Sequence, residues 1–201
     1  MKILVACEFS GVVRDAFIAR GHEAVSCDLL PTERPGPHIQ DDVMNHLYEG
    51  WDMMIFHWPC TVLTNSGVTW LYEGDEKDMV MGPSCFINQK RWQEMEVSAK
   101  NFRFLLDFEQ IPKRVGENPI PHPYARAIMG DYTQLIWPYE HGHGELKRTA
   151  LWLRGVPKLQ PSNIVYGYEA RTHNLPPSAD RWKERSRTLP GIAKAMAEQW
   201  G

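Results

Sequence analysis

The chain has no long hydrophobic run. Nothing in its 201 residues approaches the roughly 20 apolar positions of a bilayer-spanning helix, which argues against a membrane protein. It has only four cysteines, Cys7, Cys27, Cys60 and Cys85. They form no Cys-x-x-Cys pair, which argues against a disulfide framework or a zinc ribbon. The pattern Gly-x-Gly-x-x-Gly is missing after the first apolar run, which weakens a dehydrogenase-type nucleotide site. Internal repeats and low-complexity tracts are lacking as well. The apolar start MKILVACEFSG meets Glu8 at once and shows no signal-peptide cleavage pattern, so it reads as the first strand of a cytoplasmic protein.

What is present suits one domain over residues 1–201, since a chain of this length buries about two thirds of its extended surface on folding. A hydrophobic content of 43% and a charged content of 23% are ordinary for such a domain. The net charge of −3 is unevenly placed. From Lys147 onward there are ten Lys/Arg and four Asp/Glu, against twelve and twenty-one before it. A basic C-terminal third on an acidic body suits an anionic partner on one face, or is a solvated surface. His141-Gly142-His143 could offer two metal ligands. Spacing places no third, so a glycine-rich polar loop is the simpler reading and no metal is expected.

Along the chain, apolar runs predict strands at 2–6, 23–27, 52–56 and around 113–116, with strand, loop and strand over 132–155. Helical spacing predicts helices at 11–20, 89–108, 124–129 and 189–200, the second presenting Trp92, Met95, Ala99, Phe102 and Leu106 on one face. A weak helix follows Asp41-Asp42-Val43. The proline-rich link 31–37 cannot be helical. Residues 61–88 form a long mixed segment with Gly67, Gly74, Gly82 and Pro83, the kind of loop that is usually functional. Alternating strands and helices indicate an α/β fold with a mostly parallel sheet and helices on both faces. Ligands of such sheets gather beyond the carboxyl ends of the strands. Glu8, Asp28, Asp42, Cys60 and Glu117 all follow predicted strands or their loops.

Residues 57–67, HWPCTVLTNSG, end an apolar strand with a thiol in polar company. Pro59-Cys60 followed by Thr61 and Thr64 is similar to the nucleophile motif of the DNA cytosine methyltransferases that act at carbon 5 of the base. Glu117-Asn118 resembles that family's Glu-Asn motif. VACEFSGVVRDAFIARGHEAVSCD resembles its cofactor loop, helix and second-strand acid. Asp42-Val43 fits the next motif, and HGHGELKRTALWLRG the later one with paired arginines. The resemblance spans most of the chain in the family's usual order. It is closest in kind to the short versions carried by bacterial viruses.

The resemblance implies a Rossmann-like S-adenosylmethionine-dependent methyltransferase fold and methyl transfer to carbon 5 of cytosine in DNA. It implies Cys60 as nucleophile at carbon 6, Glu117 beside ring nitrogen 3, Asn118 holding the backbone, and Lys147 or Arg148 stabilising the ring carbonyl or Glu117. S-adenosylmethionine would be held by Glu8, Phe9, Ser10, Gly11, Asp28, Asp42 and Pro59. The implied substrate contacts are Thr61, Thr64, Asn65 and Ser66, with phosphate contacts from Arg181, Lys183 and Arg185. A duplex substrate requires base flipping, and Trp70 and Tyr72 in the 61–88 loop are candidates for a lid or wedge.

Departures from the family pattern are plain. Val12 and Val13 stand where glycine is common, Thr61 where glutamine is common, and Trp58 where a small residue or proline is usual. Glu145 and Thr149 replace a glutamine and an arginine. Only a reduced insert, about 154–180, stands where relatives carry a target-recognition domain. Short sequence context, a protein partner that supplies specificity, or a substrate other than duplex DNA follows from that. Two other readings stay open: the same chemistry on a free pyrimidine nucleotide or modified base, and a cofactor- or nucleic-acid-binding protein without turnover.

Overall fold

The computed structural model describes residues 1–172 and 174–201. β1 (Lys2–Ala6) leads to α1 (Val12–Ile18), β2 (Glu23–Asp28), β3 (His38–Gln40) and β4 (Met53–Phe56). A long connection then carries a hairpin of β5 (Met79–Met81) and β6 (Phe86–Asn88) ahead of α2 (Gln89–Leu106). β7 (Lys113–Pro119), α3 (Pro123–Met129), β8 (Gln134–Ile136) and β9 (Thr149–Arg154) follow, and α4 (Arg181–Ser186) and α5 (Pro190–Trp200) come last. Seven strands form one sheet in the order β3-β2-β1-β4-β7-β9-β8. Neighbours from β3 to β7 pair parallel, and β9 runs against both β7 and β8. This is a Rossmann-like α/β fold with a mostly parallel sheet.

The two-residue period of the strands sorts the core. Ile3, Val5, Met53, Ile55, Val115, Leu151 and Leu153 face the layer containing α1 and α5. Leu4, Ala6, Met54, Phe56, Ala150 and Trp152 face the layer containing α2 and α3. The buried face of α2 carries Met95, Ala99, Phe102, Leu105 and Leu106, with Trp92 partly buried against the same layer. At the centre, Phe102 packs edge-on to Phe56 at 5.0 Å and to Trp152 at 4.8 Å. The Phe56 and Phe102 rings close over Gly116, where a Cβ would stand 2.7 Å from each. β7 thus needs a glycine immediately before Glu117.

Arg14 of α1 is charged, yet it is fully buried. Its guanidinium bonds the Ser26 and Thr32 hydroxyls and the carbonyls of Arg34, Pro35 and Pro37 (3.2–3.5 Å). One arginine therefore fastens the proline-rich link to α1, giving the Arg34 and Pro35 carbonyls a donor. Ala19, inside the predicted helix 11–20, falls just past α1 and is exposed. The 61–88 segment is more ordered in outline than a plain loop. It holds a turn of 3-10 helix at Asn65–Leu71 and the β5–β6 hairpin, and Asn88 Nδ2 donates to Glu73 O (2.9 Å).

Candidate active site

Parallel strands deliver their carboxyl ends to one edge, and β1, β4 and β7 are neighbours at its centre. Directly after β1, Cys7 takes a φ of 56°, making it the one non-glycine at positive φ among the described residues. Such a backbone is uncommon for a residue with a side chain. The bend leads to Glu8, whose buried carboxylate accepts Val13 N–H at Oε1 (2.7 Å) and Arg14 N–H at Oε2 (3.2 Å). The Ser10 hydroxyl donates to the same Oε1 (3.2 Å). Glu8 thereby satisfies helix-start N–H groups that otherwise lack partners. Gly11 follows at φ 70°, and a Cβ there would meet Arg14 Nη2 at 2.5 Å. Its glycine is required locally by α1.

After β4, His57 N–H donates to Ala6 O (3.0 Å), continuing the β1–β4 pairing by one residue. Trp58 then reaches α2, its Nε1 donating to Ser98 Oγ (2.9 Å). The Trp58 carbonyl accepts Asn118 Nδ2–H (2.8 Å), which ties the end of β7 to the turn carrying Cys60. The Cys60 carbonyl accepts Leu63 N–H (3.0 Å) and Thr64 N–H (3.2 Å). Trp58, unusual for the resembled motif, is thus part of the scaffold of that turn.

A cavity of about 90 Å³ opens here. Its lining includes Cys7, Glu8, Phe9, Ser10, His57, Trp58, Cys60, Glu117, Asn118, Lys147, Arg185 and Arg187. His57 Nδ1–H donates to Glu117 Oε2 across 3.0 Å. Both are largely buried, with side-chain exposures of 9% and 15%. Two buried polar atoms on the lining residues, His57 Nε2 and Asn118 Oδ1, have no protein partner.

The electrostatics of these groups are linked. Burial opposes the charge on His57, but the hydrogen bond and charge of Glu117 outweigh it and hold the imidazole above its ordinary value. Burial also opposes the Glu117 charge, and His57 and then Lys147 overcome it, holding the carboxyl below the usual range. Cys60 is pushed up by burial and by the Glu117 charge, more than Lys147 pulls it down. The cavity therefore holds a protonated thiol beside an ionised carboxylate that accepts a hydrogen bond from His57.

Cys60, Glu117, Asn118, Lys147, Glu8, Phe9, Ser10 and Arg185 meet in this cavity. Lys147 Nζ donates to the carbonyls of Arg185 (2.6 Å) and Arg187 (3.5 Å), holding the segment 185–188 beside it. Arg148 lies elsewhere, its guanidinium 5.2 Å above the Trp137 ring. Asp28 Oδ1 accepts Leu30 N–H (2.9 Å), while Asp42 Oδ1 accepts Met44 N–H (3.0 Å) and caps a 3-10 turn. Pro59 and Thr61 are exposed. Thr64 pairs with Ser66 at 3.0 Å, and Asn65 N–H donates to Ile120 O (3.3 Å), at the β7–α3 connection. Arg181 and Lys183 belong to α4, which lays Trp182 6.0 Å from the Phe9 ring.

Sequence reasoning missed His57, Cys7 and Arg187 as lining residues. The available signal for His57 was its place three residues before Cys60, where a core strand gives way to polar side chains. His141 and His143 act structurally: His141 Nδ1 pairs with Ser162 Oγ (3.0 Å), and His143 Nε2 accepts Gly191 N–H (2.8 Å). Among the described residues, no cluster of three or more His, Cys, Asp or Glu could hold a metal, and no helix is long and apolar enough to cross a membrane.

No protein-family model and no curated protein matches the sequence. Among solved structures, the chain is similar to a candidate DNA modification methyltransferase encoded within a prophage of E. coli, at 14% identity and a TM-score of 0.45. That likeness covers 87% of this chain and 55% of the other, so this chain spans little more than half the length of the structure it matches. At this level the likeness carries no argument about activity.

Proposed function

We propose that this protein transfers a methyl group from S-adenosylmethionine to carbon 5 of cytosine in DNA, through a covalent Cys60 adduct. The observation that carries the reading is the convergence of Cys60, Glu117, Asn118, His57 and Lys147 on one cavity, with buried polar atoms left without partners.

Carbon 5 of cytosine is too weak a nucleophile to take a methyl group unaided. Addition of Cys60 Sγ at carbon 6 breaks the S–H bond and the ring double bond, and leaves electron density on carbon 5 and nitrogen 3. The thiol proton passes to the ionised Glu117 carboxylate, which hands it on to nitrogen 3. After carbon 5 is methylated, it loses its own proton to solvent, the Sγ–C6 bond breaks, and the proton on nitrogen 3 leaves. Asn118 keeps the Cys60 turn docked on β7 throughout. Lys147 offsets negative charge that develops in the cavity.

The methyl donor supplies an electrophilic methyl group. Phe9 and Ser10 would hold it from the cavity wall, with Asp28 and Asp42 farther along the same sheet edge. The polar lining and the unpartnered atoms fit its amino-acid end. Pockets for whole ligands of its size run to roughly 300–1,000 Å³, so the 90 Å³ cavity accepts the entire donor only when the segment 181–188 stands back. Arg181, Lys183 and Arg185 would contact phosphates of a flipped-out or single-stranded target. The short insert supports little sequence context, or a protein partner that supplies it.

The deciding experiment incubates the full chain with labelled donor and cytosine-containing DNA, with free cytosine nucleotides in parallel. Label is expected on carbon 5 of cytosine in DNA and is expected to vanish in Cys60→Ala. Incorporation that survives this substitution removes the cysteine mechanism, and label confined to free nucleotides removes DNA as substrate.

A further inference from the structure

The pair His57–Glu117 is unaccounted for by the motifs that suggested the reaction. Its two members come from the ends of adjacent strands, 60 residues apart, and meet at 3.0 Å with both side chains largely buried. A carboxylate accepts only, so the His57 nitrogen facing it carries a hydrogen. Glu117 Oε2 is therefore occupied by His57 Nδ1–H. That leaves Oε1 as the oxygen able to face a base in the cavity. His57 Nε2 is buried and has no partner. An imidazolium would bury a second N–H without an acceptor there, so the resting pair is a neutral ring donating to an ionised carboxylate.

We infer that His57 is a positioning residue: its Nδ1–H fixes one Glu117 oxygen, turns the other toward ring nitrogen 3, and joins Glu117 in holding the proton that moves as Sγ adds. The inference rests on the methylation reading given above. The proton count closes without a further reactant. The Cys60 thiol loses its proton as the Sγ–C6 bond forms, the His57–Glu117 pair takes that proton, and the pair delivers it to nitrogen 3 as electron density arrives there. The groups facing His57 are Glu117 from β7, Glu8 after β1, Asp28 after β2, Lys147 ahead of β9 and Cys60 on its own turn. Arg185 closes the same cavity. Glu117 is the one that touches it in hydrogen-bond geometry among the described residues.

The test compares His57→Ala with His57→Asn, whose amide can replace Nδ1–H as a donor that does not titrate. Misplacement of a reacting group costs up to about 100-fold, and His57→Ala is expected to lose kcat on that scale with little change in the donor's Kd. Losing the N–H donor lets the Glu117 carboxyl titrate higher, so the acid limb of the kcat–pH profile, where the carboxylate becomes protonated, moves to higher pH. His57→Asn is expected to recover most of the rate and to keep the limb nearer that of the parent. Coincident limbs in all three proteins, or an Asn variant no better than Ala, would overturn the inference. Nitrogen-15 NMR of His57 in the intact protein and in Glu117→Gln gives a readout independent of turnover and of whether His57→Ala folds. The expected result is a hydrogen-bonded Nδ1–H and a raised ring titration that Glu117→Gln abolishes. Methyl transfer with no such pairing overturns the role of His57 alone. Pairing with no methyl transfer in the parent protein overturns the methylation reading and this inference together.

Discussion

At the β4–β7 half of the sheet's carboxyl edge, polar side chains bond partners far away in the sequence: His57 to Glu117, and Asn118 to the Trp58 carbonyl, each 60 residues apart. At the β2–β3 half the same residue types bond their own neighbours. Asp28 takes the N–H of Leu30, Asp41 that of Asp42, and Asp42 that of Met44. His46 likewise bonds Asp41 and Glu49, within five residues. Local side chain–backbone bonds are how Asp normally stabilises turns. Long-range bonds cost more chain entropy to form, and here they leave buried polar capacity unfilled. A row of acids at strand ends is thus two different things: one half closes its own turns, and the other holds side chains together across the sheet.

The largest effect that would break this comparison comes from beneath it. Gly116 lets the Phe56 and Phe102 rings close over β7, and a methyl group there would stand 2.7 Å from both. Gly116→Ala is expected to destabilise the fold by about 1–3 kcal/mol through overpacking. It should also depress activity without touching a reacting group, because Glu117 is the next residue. Urea denaturation beside a methylation assay checks both. Unchanged stability would mean that the rings are free to move, and that β7 does not hold Glu117 as rigidly as the packing indicates.

Most of the sheet was legible because buried parallel strands are short apolar runs, and KILVA and MMIF have no polar interruption. β3 was not, since its three residues, His38-Ile39-Gln40, are half polar and gain strand geometry only by pairing with Ser26–Asp28. The β5–β6 hairpin carried a local signal, Gly82-Pro83-Ser84 between Met79–Met81 and Phe86–Asn88, that was submerged in a segment read as one long loop. Arg14 was hidden for a different reason. A helical pattern marks arginine as solvent-facing, and only the carbonyls of a loop some 20 residues onward make its burial favourable. Cys60 and Glu117 stood out because each follows a predicted strand and the Pro59-Cys60 and Glu117-Asn118 pairs resemble two motifs of one family. His57 did not, because its role lies entirely in a contact across the sheet.

A smaller effect sharpens the comparison on the β2–β3 side. Asp28 is half-buried, and burial raises its carboxyl above the usual range despite the Leu30 N–H bond. Asp42 is exposed. Asn at either position preserves an oxygen for the turn but removes the charge. Asp28→Asn is expected to weaken S-adenosylmethionine binding about tenfold, the equivalent of ~1.4 kcal/mol, with stability nearly unchanged. Asp42→Asn should stay within about twofold, because an exposed carboxylate loses little by neutralisation. Calorimetric titration with the donor measures both. Equal losses would erase the distinction between the two acids, and no loss at Asp28 would reduce it to a turn former like its neighbour.

The smallest effect concerns the strap that joins the halves. Arg187 lines the cavity and makes a two-pronged contact with Glu33 of the proline-rich link, Nε to Oε2 at 2.9 Å and Nη2 to Oε1 at 2.7 Å. Arg187 holds the Glu33 carboxyl below its ordinary value, outweighing the opposing effect of burial. A carboxyl depressed by folding stabilises the folded state above its unfolded titration, and that contribution disappears as pH falls through the folded value. Both side chains are about a third exposed, so the pair contributes under about 1 kcal/mol. Glu33→Gln should therefore lower stability slightly near neutral pH, by an amount that shrinks in acid as the depressed parent carboxyl takes up its proton. On the proposal that the lining segment 185–188 stands back to admit the whole donor, the same substitution should speed donor entry and release. A variant that loses stability equally at neutral and acid pH, with donor kinetics unchanged, would show that Glu33 acts by packing and that the strap does not gate the cavity.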